Sequence, residues 1–249
     1  MQINRRNMVK GSAAAALAGA LVSNHNITAA ESSAKVNLKK DDLVLFQGDS
    51  ITDAGRKKKD PKANDFSSLG RGYAMMISSQ LLSRFPSLGL QCHNRGISGH
   101  KVPDLAARWD RDCIDMKPAL LSILIGVNDI WHKLNGNYDG TVQDYKRQLD
   151  ELLARTKENL PSTPIVICEP FALRCGAVHD KWFPEFDERR LACREISDKH
   201  QCIWVPFQSM FDEAVNEQTK PNYWAGDGVH PSMAGHSLMT TAWLKTVFG

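Results

Sequence analysis

Short apolar runs alternate with longer amphipathic stretches along this chain, and that alternation predicts most of its architecture. Leu43-Val44-Leu45-Phe46 is apolar at consecutive positions and ends at Gly48, so it reads as a strand buried on both faces. Residues 120–125, 165–168 and 202–205 repeat the pattern, most clearly at 120–125, and 90–93 reads as a further short strand. Between these runs, helical spacing marks 73–85, 102–116, 142–160 and 185–200, and Pro86, Pro118 and Pro161 stop the first three. A short helix is expected over 210–217. A last one is expected over 232–247, with Ser232 as its cap. A loop rich in Lys, Asp and Ser fills the chain up to about Gly72. Strands alternating with helices imply an α/β fold, a three-layer α/β/α sandwich around a central, mainly parallel five-stranded sheet. No internal repeat or linker interrupts residues 31–249, which read as one domain. In open sheets of this kind, function gathers at the carboxyl ends of the strands.

Residues 1–30 stand apart. Arg5, Arg6 and Lys10 precede an alanine-rich apolar stretch from Gly11 to Val22, and Thr28-Ala29-Ala30 offers small residues for a cut. This resembles a twin-arginine export signal, which implies a periplasmic or extracellular mature protein. The apolar stretch is short for a membrane span, and no other segment is long and apolar enough for one. Without residues 1–30 the chain holds 28 basic and 28 acidic residues, so charge gives no footprint for nucleic acid. The one basic run, Arg56-Lys57-Lys58-Lys59, reads as a solvated loop.

The six cysteines contain no Cys-x-x-Cys pair, and Cys92 and Cys168 fall in predicted strands as plain core residues. Export permits disulfides, but the spacing assigns no pairing. His179, His200, His230 and His236 lack metal-ligand spacing, so neither metal nor other cofactor is expected.

Four blocks carry candidate chemistry. They are Gly48-Asp49-Ser50 after strand one, Asn94-Arg95-Gly96-Ile97-Ser98-Gly99 after strand two, Gly126-Val127-Asn128-Asp129 after strand three, and Asp227-Gly228-Val229-His230-Pro231 before the last helix. A serine hydroxyl needs an adjacent base to act as a nucleophile, a histidine supplies it, and a carboxylate orients the histidine. Asp227 and His230, three apart on a glycine-containing turn, can converge on Ser50. The oxyanion of acyl transfer needs fixed donors. The Ser50 and Gly96 N–H groups and the Asn128 amide are the candidates. Taken singly, Ser50 reads as a helix cap, Asn128 as a turn residue, and Asp227 with His230 as a surface turn.

Together and in this order, the four blocks resemble the signatures of the SGNH hydrolases, with Ser50, Gly96, Asn128 and His230 as the four eponymous positions. The resemblance implies a serine esterase with Asp227 as the third catalytic residue; Asp49 reads instead as a non-catalytic residue that shapes the nucleophile turn through backbone hydrogen bonding. Residues 43–131 and 227–236 further resemble bacterial acetyl-xylan esterases of that fold, which implies acetyl esters on a carbohydrate as substrate. Trp131, Trp182, Tyr223 and Trp224 fall in predicted loops, and Trp131 and Trp224 are the candidate sugar-binding aromatics by their nearness to Asn128 and Asp227. A lysophospholipase-like or thioesterase activity, or a non-catalytic carbohydrate-binding role, are the alternatives. Oligomeric state is not legible.

Overall fold

The computed structural model describes residues 36–249; the predicted export signal lies outside them. Five strands, β1 (Leu43–Gly48), β2 (Gln91–Asn94), β3 (Leu120–Leu124), β4 (Ile165–Cys168) and β5 (Ile203–Val205), form one sheet in the order β2-β1-β3-β4-β5. Every pairing is parallel, as the consecutive apolar positions require of strands covered on both faces.

The pleat divides the core in two. Val44, Phe46, Leu120, Leu124, Val166 and Cys168 point to one face. There they meet α3 (Tyr73–Arg84), α8 (Phe207–Ala214) and α10 (Met233–Phe248). Leu45, Leu121, Ile123, Ile165 and Ile167 point to the other, against α4 (Val102–Ala106), α6 (Val142–Asn159) and α7 (Glu185–Lys199). This is the expected three-layer sandwich. Two of the large buried indoles find polar partners: Trp243 Nε1 donates to Ser122 Oγ at 3.0 Å, and Trp109 Nε1 to Thr156 Oγ1 at 2.9 Å.

Three local expectations are corrected. The helix expected over 102–116 breaks after Ala106, and Asp110–Ile114 forms a π-helical turn in which the Asp115 N–H reaches the Asp110 carbonyl at 2.9 Å. Trp109 and Asp112 are both buried beside this turn, and Asp112 meets Arg108, four residues earlier, at 3.1 Å. The segment after β3 is not a loop but α5 (Val127–Leu134). The helix expected over 210–217 begins three residues earlier, because Phe207 and Phe211 both pack into the core. Short α1 (Ser50–Asp53), α2 (Phe66–Leu69) and α9 (Pro221–Trp224) also interrupt regions expected as loop.

All six cysteines are free thiols. Burial pushes Cys113, Cys168, Cys193 and Cys202 up to about 12, so they stay protonated and unreactive at neutral pH. Among the described residues no helix is long and apolar enough to cross a membrane.

Candidate active site

The site lies at the carboxyl ends of β2, β1 and β3. Gly48 closes β1, and Asp49 then caps α1, its Oδ1 accepting from the Ile51 N–H at 3.0 Å. Asp49 thus shapes the turn as expected. It is fully buried, and among the described residues its second oxygen has no partner. Burial pushes its carboxyl up to about 7, against the opposing pull of the Ile51 N–H and nearby His230. Ser50 occupies the first position of α1, where its N–H has no intrahelical acceptor.

Across from it, the turn 227–230 presents His230. The Ser50 Oγ lies 2.8 Å from His230 Nε2, and His230 Nδ1 lies 2.6 Å from Asp227 Oδ2. The other Asp227 oxygen accepts from the Val229 and His230 N–H groups at 2.9 and 2.7 Å. Burial alone would raise this carboxyl; the hydrogen bonds from the His230 ring and the two N–H groups outweigh it and hold the group below the usual carboxylate range. An ionised Asp227 fixes the proton on Nδ1 and leaves Nε2 to accept the Ser50 hydroxyl proton. The turn is held from outside by the Leu173 N–H on the Gly228 carbonyl (2.8 Å) and the Ala177 N–H on the Asp227 carbonyl (2.9 Å).

The donor side differs from expectation at one residue. Gly96 is buried, and a side chain there would collide with the backbone nitrogen of Asp53. Its N–H already donates to Asn94 Oδ1 at 2.8 Å, so it presents no free donor. Gly96 is a close-packing glycine. Gly99 is the free one: it is half-buried, in the left-handed region at φ +83°, and among the described residues its N–H has no hydrogen-bond partner. Asn128 reaches the same loop, donating to the His100 carbonyl at 3.1 Å, which leaves its second amide hydrogen available.

The loop bearing Gly99 is fastened on two sides. Asp53 Oδ2 accepts from the Ser98 N–H (3.0 Å), the Ser98 hydroxyl (2.9 Å) and Lys58 Nζ (2.7 Å), while Oδ1 accepts from the Arg56 N–H (3.1 Å). Arg108 Nε donates to His100 Nδ1 at 3.2 Å on the far side. The run Arg56–Lys59 is therefore only partly solvated. Arg56 is buried with its Nε on the Gly96 carbonyl at 2.7 Å, and Lys58 is tied to Asp53.

Of the aromatics, Trp131 reaches the site. Its ring centroid lies 5.9 Å from that of His230 and 5.6 Å from that of Trp182, itself buried. Trp224 does not: its Nε1 donates to the Ala214 carbonyl at 3.2 Å and its ring packs on Phe211. The aromatic exposed on that side is Tyr223, half exposed, with Met233 close to it in the chain fold through the Ser232 hydroxyl on the Tyr223 carbonyl (2.7 Å). His236, expected only as part of the last block, is structural: its Nδ1 accepts from the Tyr73 N–H at 3.1 Å, and burial lowers it to about 4.

The sequence profile of the GDSL-like lipase/acylhydrolase family matches residues 46–238. An acetylxylan esterase from Geobacillus stearothermophilus is 33% identical over 208 residues, spanning 82% of this chain and 93% of that protein. The crystal structure of that organism's acetylxylan esterase superposes with a TM-score of 0.75 at 31% identity, covering 84% of this chain and 95% of that one. A Parabacteroides merdae protein described as GDSL-like lipase superposes with a TM-score of 0.83 at 48% identity, over 86% of this chain and 98% of its own.

Proposed function

This chain belongs to the GDSL-like lipase/acylhydrolase family and is a carboxylic ester hydrolase, and from that premise we propose that it removes small acyl groups, acetyl above all, from a carbohydrate such as acetylated xylan. The observation that carries the reading is the unbroken hydrogen-bond chain from Ser50 through His230 to Asp227.

In this scheme His230 Nε2 takes the Ser50 proton as Oγ attacks the acetyl carbonyl. The Ser50 N–H, the Gly99 N–H and the Asn128 amide receive the oxyanion. His230 then gives its proton to the departing sugar oxygen, leaving an acetyl-serine. It next takes a proton from water, which attacks the acyl carbon; acetate leaves, and the proton returns to Ser50. Asp227 stays ionised throughout and holds His230 in place. No step calls for a cofactor.

The acetyl-sugar assignment is supported by the curated acetylxylan esterase relative and by Trp131 beside His230, a face on which a sugar ring can stack. The relative described as GDSL-like lipase keeps longer acyl chains in view. The deciding experiment is acetate release from acetylated xylan by the protein, beside Ser50→Ala and a long-chain ester. Release that depends on Ser50 and exceeds long-chain hydrolysis is expected. Ser50-dependent cleavage of an aryl acetate without release from xylan would keep the serine esterase and discard the sugar substrate. Full activity in Ser50→Ala would overturn the scheme itself. A polymer substrate also suits export, which the Arg5-Arg6 leader supports.

A further inference from the structure

Trp131 lies beside His230, and the next residue of α5, His132, lies on a different face of that helix. Asn128 and His132 are four residues apart and so share one face of that helix. A methyl group placed on Gly99 would meet His132 Cε1 and Nε2 at 3.9 Å, so the imidazole stands beside the Gly99 Cα of the oxyanion loop. It is half-buried, and among the described residues neither ring nitrogen has a hydrogen-bond partner. Asp104 is near enough for its charge to act on His132, and its Oδ2 takes both the Lys101 N–H (2.8 Å) and Lys101 Nζ (2.7 Å), leaving Oδ1 open. Lys101 is mostly covered, its ammonium 5.2 Å from the centroid of the Tyr138 ring.

The geometry points to a saccharide subsite here, built on His132 and Asp104 on the oxyanion-loop side of Ser50, that binds hydroxyl groups of the sugar carrying or adjoining the ester. This rests on the acetyl-carbohydrate reading above and deepens it. The donor balance selects the ligand class. Burial, then the nearby Lys101 charge, lowers the His132 imidazole, so at neutral pH it is uncharged and carries one open acceptor nitrogen. The Asp104 carboxylate is an acceptor only. The neutral imidazole thus donates at one nitrogen and accepts at the other beside an acceptor-only carboxylate, a set that sugar hydroxyls, donors and acceptors at once, match and an acyl chain does not. Lys101, bonded to Asp104, offsets the carboxylate charge. The Tyr138 ring adds a half-buried flank.

The test compares the wild type with His132→Ala and His132→Gln on acetylated xylo-oligosaccharide and on 4-nitrophenyl acetate, which has no sugar hydroxyls. The ratio of kcat/KM for oligosaccharide to that for the aryl ester should fall about ten-fold in His132→Ala, carried by KM. His132→Gln, which restores an acceptor, should recover part of it. The dissociation constant of xylo-oligosaccharide from Ser50→Ala should rise by a similar factor when His132→Ala is added. An unchanged ratio, with the wild type active on the oligosaccharide, overturns the subsite alone. A wild type that cleaves 4-nitrophenyl acetate but neither cleaves nor binds the oligosaccharide overturns the carbohydrate reading, and the subsite with it.

Discussion

Substituting Asp53 by asparagine should slow the reaction at its chemical step while leaving the chain folded. The carboxylate has no exposed side-chain surface and accepts four hydrogen bonds, two of them from Ser98, which immediately precedes Gly99. Asparagine has the same shape but only one acceptor oxygen. If that oxygen keeps Ser98 and Lys58, the new NH2 group confronts the Arg56 N–H, and one buried donor is left without a partner at about 1–3 kcal/mol. The bonds that survive lose their charge assistance and fall to roughly half their strength. A net loss of about 2–4 kcal/mol follows, a large share of the ~5–15 kcal/mol typical of a domain. Lys58 adds little, since half of its side chain is in water. The same loosening frees Gly99 to drift from the developing oxyanion. Removing an oxyanion donor outright costs about 10²–10³ in kcat, so a displaced one should cost about 10- to 100-fold, with KM within about two-fold.

The pH dependence adds a second check on Asp53. Its folded value is held below the usual carboxylate range, because Lys58 and the Ser98 groups outweigh burial. Its stabilisation is therefore complete above the unfolded value near ~4 and is lost as pH falls through the folded value. Urea unfolding at neutral pH should show the full gap between wild type and Asp53→Asn, and the gap should narrow below about pH 4. Steady-state kinetics on 4-nitrophenyl acetate give the other half. A variant with wild-type kcat, or a loss confined to KM, would refute the argument that Asp53 positions the oxyanion loop.

Three further outcomes follow from the geometry. Asn128→Ala should lower kcat about 10²–10³-fold with little change in KM, since its amide is expected to bond the oxyanion and not the ground-state ester; steady-state kinetics read this directly. Asp49→Asn should gain stability relative to wild type as pH rises from about 4 to 8. The wild-type carboxyl, raised to about 7 in the fold, loses its contribution across that window, and urea midpoints at several pH values follow it. Trp224→Phe should cost about 1–2 kcal/mol in thermal or urea unfolding through the lost Ala214 hydrogen bond, yet leave the selectivity between acetylated xylan and an aryl acetate within two-fold.

Most strands were legible as largely apolar runs, β2 being the polar exception, and the order of the first three blocks placed the site at the strand ends. What sequence missed has physical causes. The apolar positions Val127, Ile130, Trp131 and Leu134 have the i, i+3, i+4, i+7 spacing of a helix, so α5 was open to discovery; treating Gly126–Asp129 as a loop motif hid it. The π-helical turn after Trp109 left no such trace; it accompanies the burial of Trp109, whose Nε1 reaches Thr156 on α6, a tertiary contact. Gly96 and Gly99 are equivalent as glycines in a string. Only the Asn94 side chain, folded back onto the Gly96 N–H, separates the structural residue from the free donor. Trp224 and Trp131 likewise differ only in what they pack on, Phe211 for one and His230 for the other. The burial of Arg56 within a run of four cations could be seen only once the Gly96 carbonyl came to meet it.

The site is built in two unequal halves. Ser50, Gly99 and Asn128 follow β1, β2 and β3, three adjacent strands of a parallel sheet, whereas Asp227 and His230 sit on a turn tied down chiefly by the 173–178 segment and one bridge between Ala225 and Pro231. Val229, between the two catalytic residues, is fully buried in the main core, so packing as well as those bonds holds the turn. The base is thus seated by a plug in the core, and a smaller residue at Val229 should displace His230 while leaving the sheet that holds the nucleophile in place.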